Sequence, residues 1–378
     1  MPARLGWEAE VRKYLPDHRY WREGTYYLFR AEEIEAIERA TTAIHDMTLK
    51  AVDHAVRNPS VFKRFHIPPA FSDMVKESWR RRDPSVFGRL DLAFDGNGPA
   101  KLIEYNGDTP VALTEAGQVS WNWFEQTKGY HPAHADQFNM LYEESLAVWR
   151  VVKAMLKDGE CVHFLSSRGS SGANEEWNTT EYMADVAREV GIVVHQQMIE
   201  DIRWSGSMLL DEKEREITKM FKLYPWNWLA EEAGGQYLPL ASKDRLGILE
   251  PPWKMLVDHK GLLPLLWEMF PNHENLLPAY WQYDSSLGSS YVEKPIYGCE
   301  GENIVVHTES GTHRQPGYYG DNPVIFQKYA PLPVFDGERA LVGSWIIGGN
   351  ACGICMREDK SLVTTVASQL VPHLFTGS

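Results

Sequence analysis

Cysteine is scarce in this chain. Four residues in 378, Cys161, Cys299, Cys352 and Cys355, are too few for a disulfide framework at this length. Cys352 and Cys355 have the spacing of a redox or zinc knuckle, but a second pair is missing and their neighbours read as a strand, so a structural, inert role is expected. Long apolar runs are missing too. No uninterrupted apolar segment approaches membrane-spanning length, and Met1–Trp21 lacks the apolar stretch of a signal peptide. Both lacks predict a cytoplasmic protein with no membrane partner. Basic charge is in deficit: 38 Lys and Arg against 52 Asp and Glu leave a net charge of −14. Such a surface repels a polyphosphate backbone, which makes nucleic acid a poor partner. It attracts a small cation such as an amine, although solubility alone also explains an acid surplus. Internal repeats, low-complexity tracts and long disordered linkers are absent as well.

What is present is ordinary in bulk. Hydrophobic residues make up 43% and charged residues 24% of the chain, as in a soluble globular protein. The length predicts two or three lobes packed as one unit. Helical periodicity places Ile34, Ile37, Ala40, Ile44, Met47 and Ala51 on one side of a helix over 32–58. Further helices are expected over 74–82 and 139–156. Glu160–Ser166 reads as a buried strand and leads into a Ser/Gly-rich loop. Asn174 can cap a helix starting at Glu175-Glu176, and 191–198 returns as a strand. This strand–helix–strand order predicts a parallel pair in an α/β lobe. Helices are predicted at 211–221 and 262–270. The last third changes to strands at 290–295, 303–308, 324–329, 338–347 and 351–357, closing with a helix over 362–374. Approximate lobes are therefore 1–158, 159–245 and 246–378.

The chemistry concentrates in one hairpin. Gly88-Arg89-Leu90-Asp91-Leu92-Ala93-Phe94 and Ala100-Lys101-Leu102-Ile103-Glu104-Tyr105-Asn106 read as strands, and Asp95-Gly96-Asn97-Gly98 between them is a turn signal. Alternation puts Arg89 and Asp91 on one face, with Glu104 and Asn106 beside them. A two-residue turn at Asn97-Gly98 sets Arg89 opposite Asn106 and Asp91 opposite Glu104. A four-residue turn slides the pairing by two and keeps all four on the same face. Opposed carboxylates repel. A hard divalent cation relieves that, and Mg²⁺ prefers this oxygen set together with substrate phosphates. An arginine beside it suits a phosphoryl group. A solvated charged face is the ordinary reading of such a hairpin. Against it, both strands are otherwise mostly apolar, and the polar turn Gly107-Asp108-Thr109-Pro110 follows directly.

A second constellation lies in the strand-rich third. Lys294 ends a strand, and a loop with Gly298 and Gly301 precedes the next one. Such a loop can turn backbone N–H groups toward phosphate oxygens, with Lys294 as a point charge. It is no Walker A motif, and common hairpins hold such glycines. Phe326-Gln327-Lys328-Tyr329 ends another strand with polar side chains, as a base-binding segment does.

In order along the chain, Gly88-Arg89-Leu90-Asp91, Glu104-Tyr105-Asn106, Glu175-Glu176, Lys260-Gly261, Glu293-Lys294-Pro295-Ile296-x-Gly298-x-x-Gly301-x-Asn303, Gln327 and Arg357-Glu358-Asp359 resemble the synthetase domain of the glutathionylspermidine synthase family. Those enzymes are ATP-grasp acid–amine ligases. The phrases Leu265–His273 and Tyr329-Ala330-Pro331-Leu332-Pro333 fit as well, and the resemblance runs from about Tyr14 to the end. It implies an α/β (α+β) fold: ATP-grasp with glutathione-synthetase-like architecture, an α/β pre-ATP-grasp lobe and an antiparallel-rich nucleotide lobe. It implies ATP and Mg²⁺, with Asp91, Glu104 and Asn106 as metal ligands. Arg89 matches an arginine at the reacting phosphoryl, and Arg357 a second transition-state arginine. Lys260 and Lys294 match ATP-phosphate lysines, and Glu300 and Gly301 the covering loop. Gln327, Lys328, Tyr329 and Ala330, with Leu362, Val363 and Thr364, match positions beside the base. Thr109 and Glu176 match residues that hold the peptide substrate, and Glu175 one placed for the polyamine.

Three departures qualify the match. The partner amidase domain is absent. Leu223 stands where a small hydroxyl residue is expected to grip glutathione. Cys299-Glu300 replaces a more basic stretch in the nucleotide loop. The expected reaction joins a small-molecule acid to an amine through an acyl phosphate. A lapsed nucleotide-binding protein and a phosphotransferase that stops at the phosphorylated acid are the alternatives. The substrates and the oligomeric state are not specified by these residues.

Overall fold

The computed structural model of the chain describes all residues except 14–17, 169–174, 207, 233, 245, 366 and 378. Its strands in chain order are β1 Tyr27–Arg30, β2 Phe87–Ala93, β3 Lys101–Asn106, β4 Cys161–Ser166, β5 Val193–Met198, β6 Arg203–Ser205, β7 Met208–Leu210, β8 Lys219–Leu223, β9 Gly247–Leu249 and β10 Ala279–Tyr280. They continue with β11 Tyr291–Pro295, β12 Val305–Thr308, β13 Gly311–Arg314, β14 Val324–Lys328, β15 Val334–Phe335, β16 Glu338–Ile347, β17 Asn350–Asp359, β18 Gln369–Val371 and β19 His373–Thr376.

Three main sheets result. A parallel sheet runs β5-β4-β8-β9, flanked by the helix Glu175–Glu189, and forms the α/β lobe. An antiparallel sheet runs β10-β14-β11-β12-β13. A six-stranded antiparallel sheet runs β18-β17-β16-β2-β3, with β15 added beside β16. The polar hairpin β2–β3 is thus completed by strands from the last tenth of the chain.

The helix Ala31–Arg57 covers one face of the six-stranded sheet. Its predicted stripe, Ile34, Ile37, Ala40, Ile44, Met47 and Ala51, is buried. Leu90, Leu92, Leu102 and Tyr105 meet it from the hairpin in the same core. Two polar contacts fix the docking: Thr41 Oγ1 lies 2.7 Å from Ser344 Oγ, and His45 Nδ1 lies 2.8 Å from the Tyr105 hydroxyl. With the apolar face committed to this helix, alternation sends Arg89, Asp91, Glu104 and Asn106 to the opposite face.

Buried charges hold the ends of the hairpin. Lys254 Nζ donates to the carbonyls of Phe87 (3.1 Å) and Gly107 (2.8 Å) and sits 3.5 Å from Glu250. Glu250 accepts the N–H groups of Val86 and Phe87. Asp258 accepts those of Gly107 and Asp108, and Asp108 pairs with Lys222 at 2.7 Å. Lys254→Met would strand the Glu250 charge in the interior. A loss of about 3–5 kcal/mol in unfolding free energy is expected, read from the denaturant midpoint. A change under about 1 kcal/mol would show that the pair does not clamp the hairpin.

Two predicted helices are replaced. Over 211–221 the chain forms a tight loop and then β8, a central strand of the parallel sheet. The Glu, Lys and Arg residues of 211–216 favour a helix by propensity, but the Asp211 carboxylate accepts the N–H groups of Lys213 and Arg215 and turns the chain instead. Over 362–374 it forms β18 and β19 after an irregular segment. Pro372 stops any helix there, and β-branched Val363, Thr364, Thr365 and Val371 favour extension. The proposed cap at Asn174 lies outside the described residues. Cys352 and Cys355 are both buried on β17, consistent with an inert role. No helix among the described residues is long and apolar enough to cross a membrane.

Candidate active site

The hairpin adopts the register of the two-residue alternative near the site, by another route. Arg89 faces Asn106 and Asp91 faces Glu104, but a bulge separates these pairs from Leu92–Leu102 and Ala93–Lys101. The connecting loop is wide, with Gly96 at φ 79° and the Asn97 N–H on Asp95 Oδ1 at 2.9 Å. The extra residue is Ile103. The bulge puts Ile103 and Glu104, consecutive residues, into the same cleft. The freed Ile103 carbonyl accepts a hydrogen bond from Lys294 Nζ at 2.7 Å.

That cleft lies between the six-stranded and five-stranded sheets. Asp91 and Glu104 line it from one sheet, and Lys294, Gln327 and Lys328 from the other. Gly301, Tyr329, Ala330, Leu362, Val363 and Thr364 complete the wall. All of these were expected at a nucleotide or its metal. The sequence did not single out the apolar surfaces that make the cleft a slot: Ile103, Leu277, Val292, Ile304, Val306, Leu332 and Leu341. Ile103, Val292, Val306 and Leu341 lie on strands and Leu277, Ile304 and Leu332 in connecting segments, and only the facing of two sheets gives them a common role.

Arg89 and Asp91 are 4% and 6% exposed, so the solvated-face reading fails. Arg89 forks onto Asp91 (Nε–Oδ1 2.8 Å, NH2–Oδ2 3.3 Å) and reaches the Val111 carbonyl at 2.8 Å. Burial alone would lower its basicity, but the Asp91 charge overrides this and holds it above the usual value. Asn106 Nδ2 donates to Asp91 Oδ2 at 3.2 Å. Lys260 pairs with Glu104 at 2.8 Å and caps the Gly298 carbonyl at 2.6 Å. Despite burial, the Glu104 charge holds this lysine above its ordinary value. Lys294 is different: burial brings it down to about 8, and the nearby Glu104 charge only partly offsets that.

Two glycines shape this site. Gly343 on β16 sits opposite Asp91, and a Cβ there would lie 2.7 Å from Cys355 Sγ and 3.0 Å from Arg89 Cδ. Its bare surface is the space Arg89 occupies. Gly301 has φ 75°, and a Cβ would meet the Thr364 carbonyl at 2.6 Å. The covering loop therefore rests directly on the 362–364 segment.

Beside the cleft lies a cluster of acids between two arginines. Glu175 and Glu176 open the helix Glu175–Glu189. Burial raises the Glu175 carboxyl, Arg357 opposes the rise, and Glu176 and Glu300 reinforce it. Glu300 is raised by burial, with Glu176 adding to it and Arg357 again opposing. Arg357 also donates to the Thr365 carbonyl at 2.8 Å. Thr109 is half-buried in the loop after β3, next to Asp108.

One residue here went unnoticed in the sequence. Glu115 is 1% exposed and its Oε2 has no hydrogen-bond partner. Burial pushes its carboxyl up to about 8, and the Glu175 charge adds to the shift. It opens a π-helical turn, Glu115–Val119, just after Ala112 in the left-handed region at φ 74°. Both are costly local geometries of the kind held at functional sites. The signal was a lone carboxylate inside the apolar run Val111-Ala112-Leu113-Thr114-Glu115-Ala116. Because its folded pKa lies above its unfolded one, Glu115 lowers stability as pH rises from about 4.5 to 8. Glu115→Gln should flatten that slope and stabilise the protein at pH 8 by on the order of a few kcal/mol. Parallel denaturation curves for both proteins across that window would disprove the shift.

The family model for the glutathionylspermidine synthase preATP-grasp matches residues 3–376. A Haemophilus influenzae protein named for acid–amine ligase activity is 34% identical over 368 aligned residues, covering 94% of this chain and 91% of that protein. The bifunctional glutathionylspermidine synthetase/amidase of Escherichia coli is 27% identical over 376 residues, covering 92% of this chain and 58% of that protein. Among solved structures, a glutathione synthetase-like effector from Globodera pallida superposes with a TM-score of 0.57 at 10% identity, covering 97% of this chain and 94% of its own. That likeness concerns the fold, which is ATP-grasp with glutathione-synthetase-like architecture.

Proposed function

The chain belongs to the glutathionylspermidine synthase preATP-grasp family of ATP-dependent amide-forming ligases, and from that premise we propose that its cleft joins a peptide-like carboxylic acid to a polyamine-like amine through an acyl phosphate. One observation carries this reading. Asp91 and Glu104 from one sheet and Lys294 from the other converge on a slot that is otherwise lined mainly by apolar side chains.

The donor set fits Mg²⁺. Asp91 and Glu104 are hard oxygen donors directly opposite each other, and Asn106 spends its amide nitrogen on Asp91, which leaves its carbonyl oxygen for a cation. These three would hold the ion, which supplies Lewis-acid stabilisation of the phosphate oxygens. The base slides between the apolar walls, with Gln327 to Ala330 and Leu362 to Thr364 along its edges. Lys260 and Lys294 receive the phosphates, and Glu300-Gly301 closes over them. Phosphate charge restores the proton that burial loosens on Lys294.

The acid, held by Thr109 and Glu176, attacks the γ-phosphoryl group. ADP leaves and an acyl phosphate remains. Catalysis is positioning and charge neutralisation, with Arg89 and Arg357 offsetting charge from two sides. The amine enters as a cation beside Glu175 and Glu115. It gives one proton to that carboxylate pair and attacks the acyl carbon as the free base. The C–N bond forms, the C–O bond to phosphate breaks, and inorganic phosphate departs. Leu223 is 1% exposed within the core, so a glutathione-like acid would be held without the hydroxyl contact expected at that position.

The test is ADP and phosphate release with MgATP across a grid of peptide-like acids and amines, including glutathione with spermidine. Release that needs both partners supports the ligase. ADP formation with an acid alone, unchanged by any amine, would indicate a phosphotransferase. MgATP binding with no stimulated release by any pair would favour a lapsed enzyme.

A further inference from the structure

In the α/β lobe, away from the cleft, β4 and β5 carry His163 and His195 directly opposite each other in parallel register. The two rings share a face, with centroids 5.2 Å apart. Asp211, which follows β7, closes over them. Its Oδ2 lies 3.3 Å from His163 Nε2 and 3.9 Å from His195 Nε2, and Glu212 Oε1 lies 3.7 Å from His195 Nε2. One ligand atom each from His163, His195 and Asp211 falls within 4.8 Å of the others.

The loop is built to aim that carboxylate. The N–H groups of Lys213 and Arg215 donate to Asp211 Oδ1 at 2.8 and 2.9 Å, and Arg215 Nε donates to Oδ2 at 2.7 Å. Burial alone would raise this acid, but those donors and His163 hold it well below the usual carboxylate range. Asp211 is therefore an anion facing two imidazoles. Only His163 comes within hydrogen-bond reach of it. His195 Nε2 is buried with no partner, as is His163 Nδ1. A buried polar atom without a partner carries an uncompensated desolvation cost.

A cation would engage the lone pairs that hydrogen bonding leaves unmatched. Four-coordinate Zn²⁺ takes N and O ligands at about 2.0–2.2 Å, which places neighbouring ligand atoms about 3.3–3.6 Å apart. The observed 3.3, 3.7 and 3.9 Å lie at or slightly beyond that spacing. Arg215 does not preclude it, because a carboxylate oxygen has two lone pairs and ligating carboxylates are normally hydrogen-bonded from behind. Two imidazoles select Zn²⁺ over the Mg²⁺ suited to the all-oxygen cleft.

We propose that His163, His195 and Asp211, with Glu212 at the rim, form a Zn²⁺-class site that pins the Asp211–Arg215 loop onto β4 and β5. It is independent of the catalytic reading, since none of the four lines the cleft. The test uses tag-free, chelator-treated protein titrated with Zn²⁺ by calorimetry, with thermal unfolding alongside. One site per chain is expected, retained in Asp91→Asn/Glu104→Gln and weakened by at least about tenfold in His195→Gln. Zn²⁺ should raise the unfolding midpoint of the parent but not of His195→Gln. If Asp211→Asn fails to fold, the half-buried His195 still provides the readout. No saturable binding, or binding that His195→Gln leaves unchanged, overturns the proposal.

Discussion

The double replacement Asp91→Asn, Glu104→Gln is expected to abolish Mg²⁺-dependent ADP formation, by about three orders of magnitude or more. Both amides keep the shape of the acids, so loss of volume cannot explain the effect. What disappears is the pair of anions opposed across β2 and β3. Lys260 loses its partner at Glu104, and Arg89 keeps an oxygen acceptor at position 91 without the full charge. A stability cost of about 1.5–3 kcal/mol follows from the weakened charged hydrogen bonds. That is small enough for an unchanged far-UV circular dichroism spectrum at 25 °C. The measurement is initial ADP release against Mg²⁺ concentration. Turnover within tenfold of the parent would remove these residues from the metal site.

Arg89→Ala is expected to lower kcat by about 10²–10³. Arg89 makes three contacts: two on Asp91, whose Oδ2 also accepts from Asn106, and one on the Val111 carbonyl. The last ties it to the strained segment before Glu115, so its loss touches the acid cluster as well as Asp91. Arg89→Lys keeps the charge and loses the planar fork. It should recover only part of the rate, because one ammonium cannot hold Asp91 and Val111 together. Nucleotide binding without Mg²⁺ should change little in either variant, since Arg89 stands behind the cleft wall. Near-parental turnover in Arg89→Ala would end its assignment to the reacting phosphoryl.

The hairpin was legible because its grammar is local. Two apolar strands with interrupting charges state both a pairing and a face, and neither needs the rest of the chain. The residues that line the cleft were legible through order and spacing along the whole sequence. Other parts were not. The bulge at Ile103 depends on how the loop at Asp95–Gly98 relaxes and on Lys294 capping the freed carbonyl, a contact with a residue far along the chain. Glu115 belongs to no spacing pattern, and only its burial beside Glu175 reveals a role. Gly343 looks like any small residue in a strand until Arg89 is seen filling the space above it. The helix read over 211–221 failed because its Glu, Lys and Arg residues favour a helix locally, and the choice was made by the turn on Asp211 and by the parallel neighbours of β8 on both sides.

Strand β16 has a consequence for how the protein is made. It is the inner neighbour of β2, and β1 pairs in parallel with β19. β2 ends at Ala93, whereas β16 begins at Glu338. At ribosomal speeds of about 5–20 residues per second, β2 waits roughly 10–50 s for that neighbour. Through that interval Arg89 and Asp91 sit on an open edge, in a strand whose other face is apolar. Assembly of the site thus waits until β16 has been made. Nascent chains halted before residue 338 should be proteolysed at the hairpin and bind no nucleotide, while release of the finished chain should bring protection and binding together.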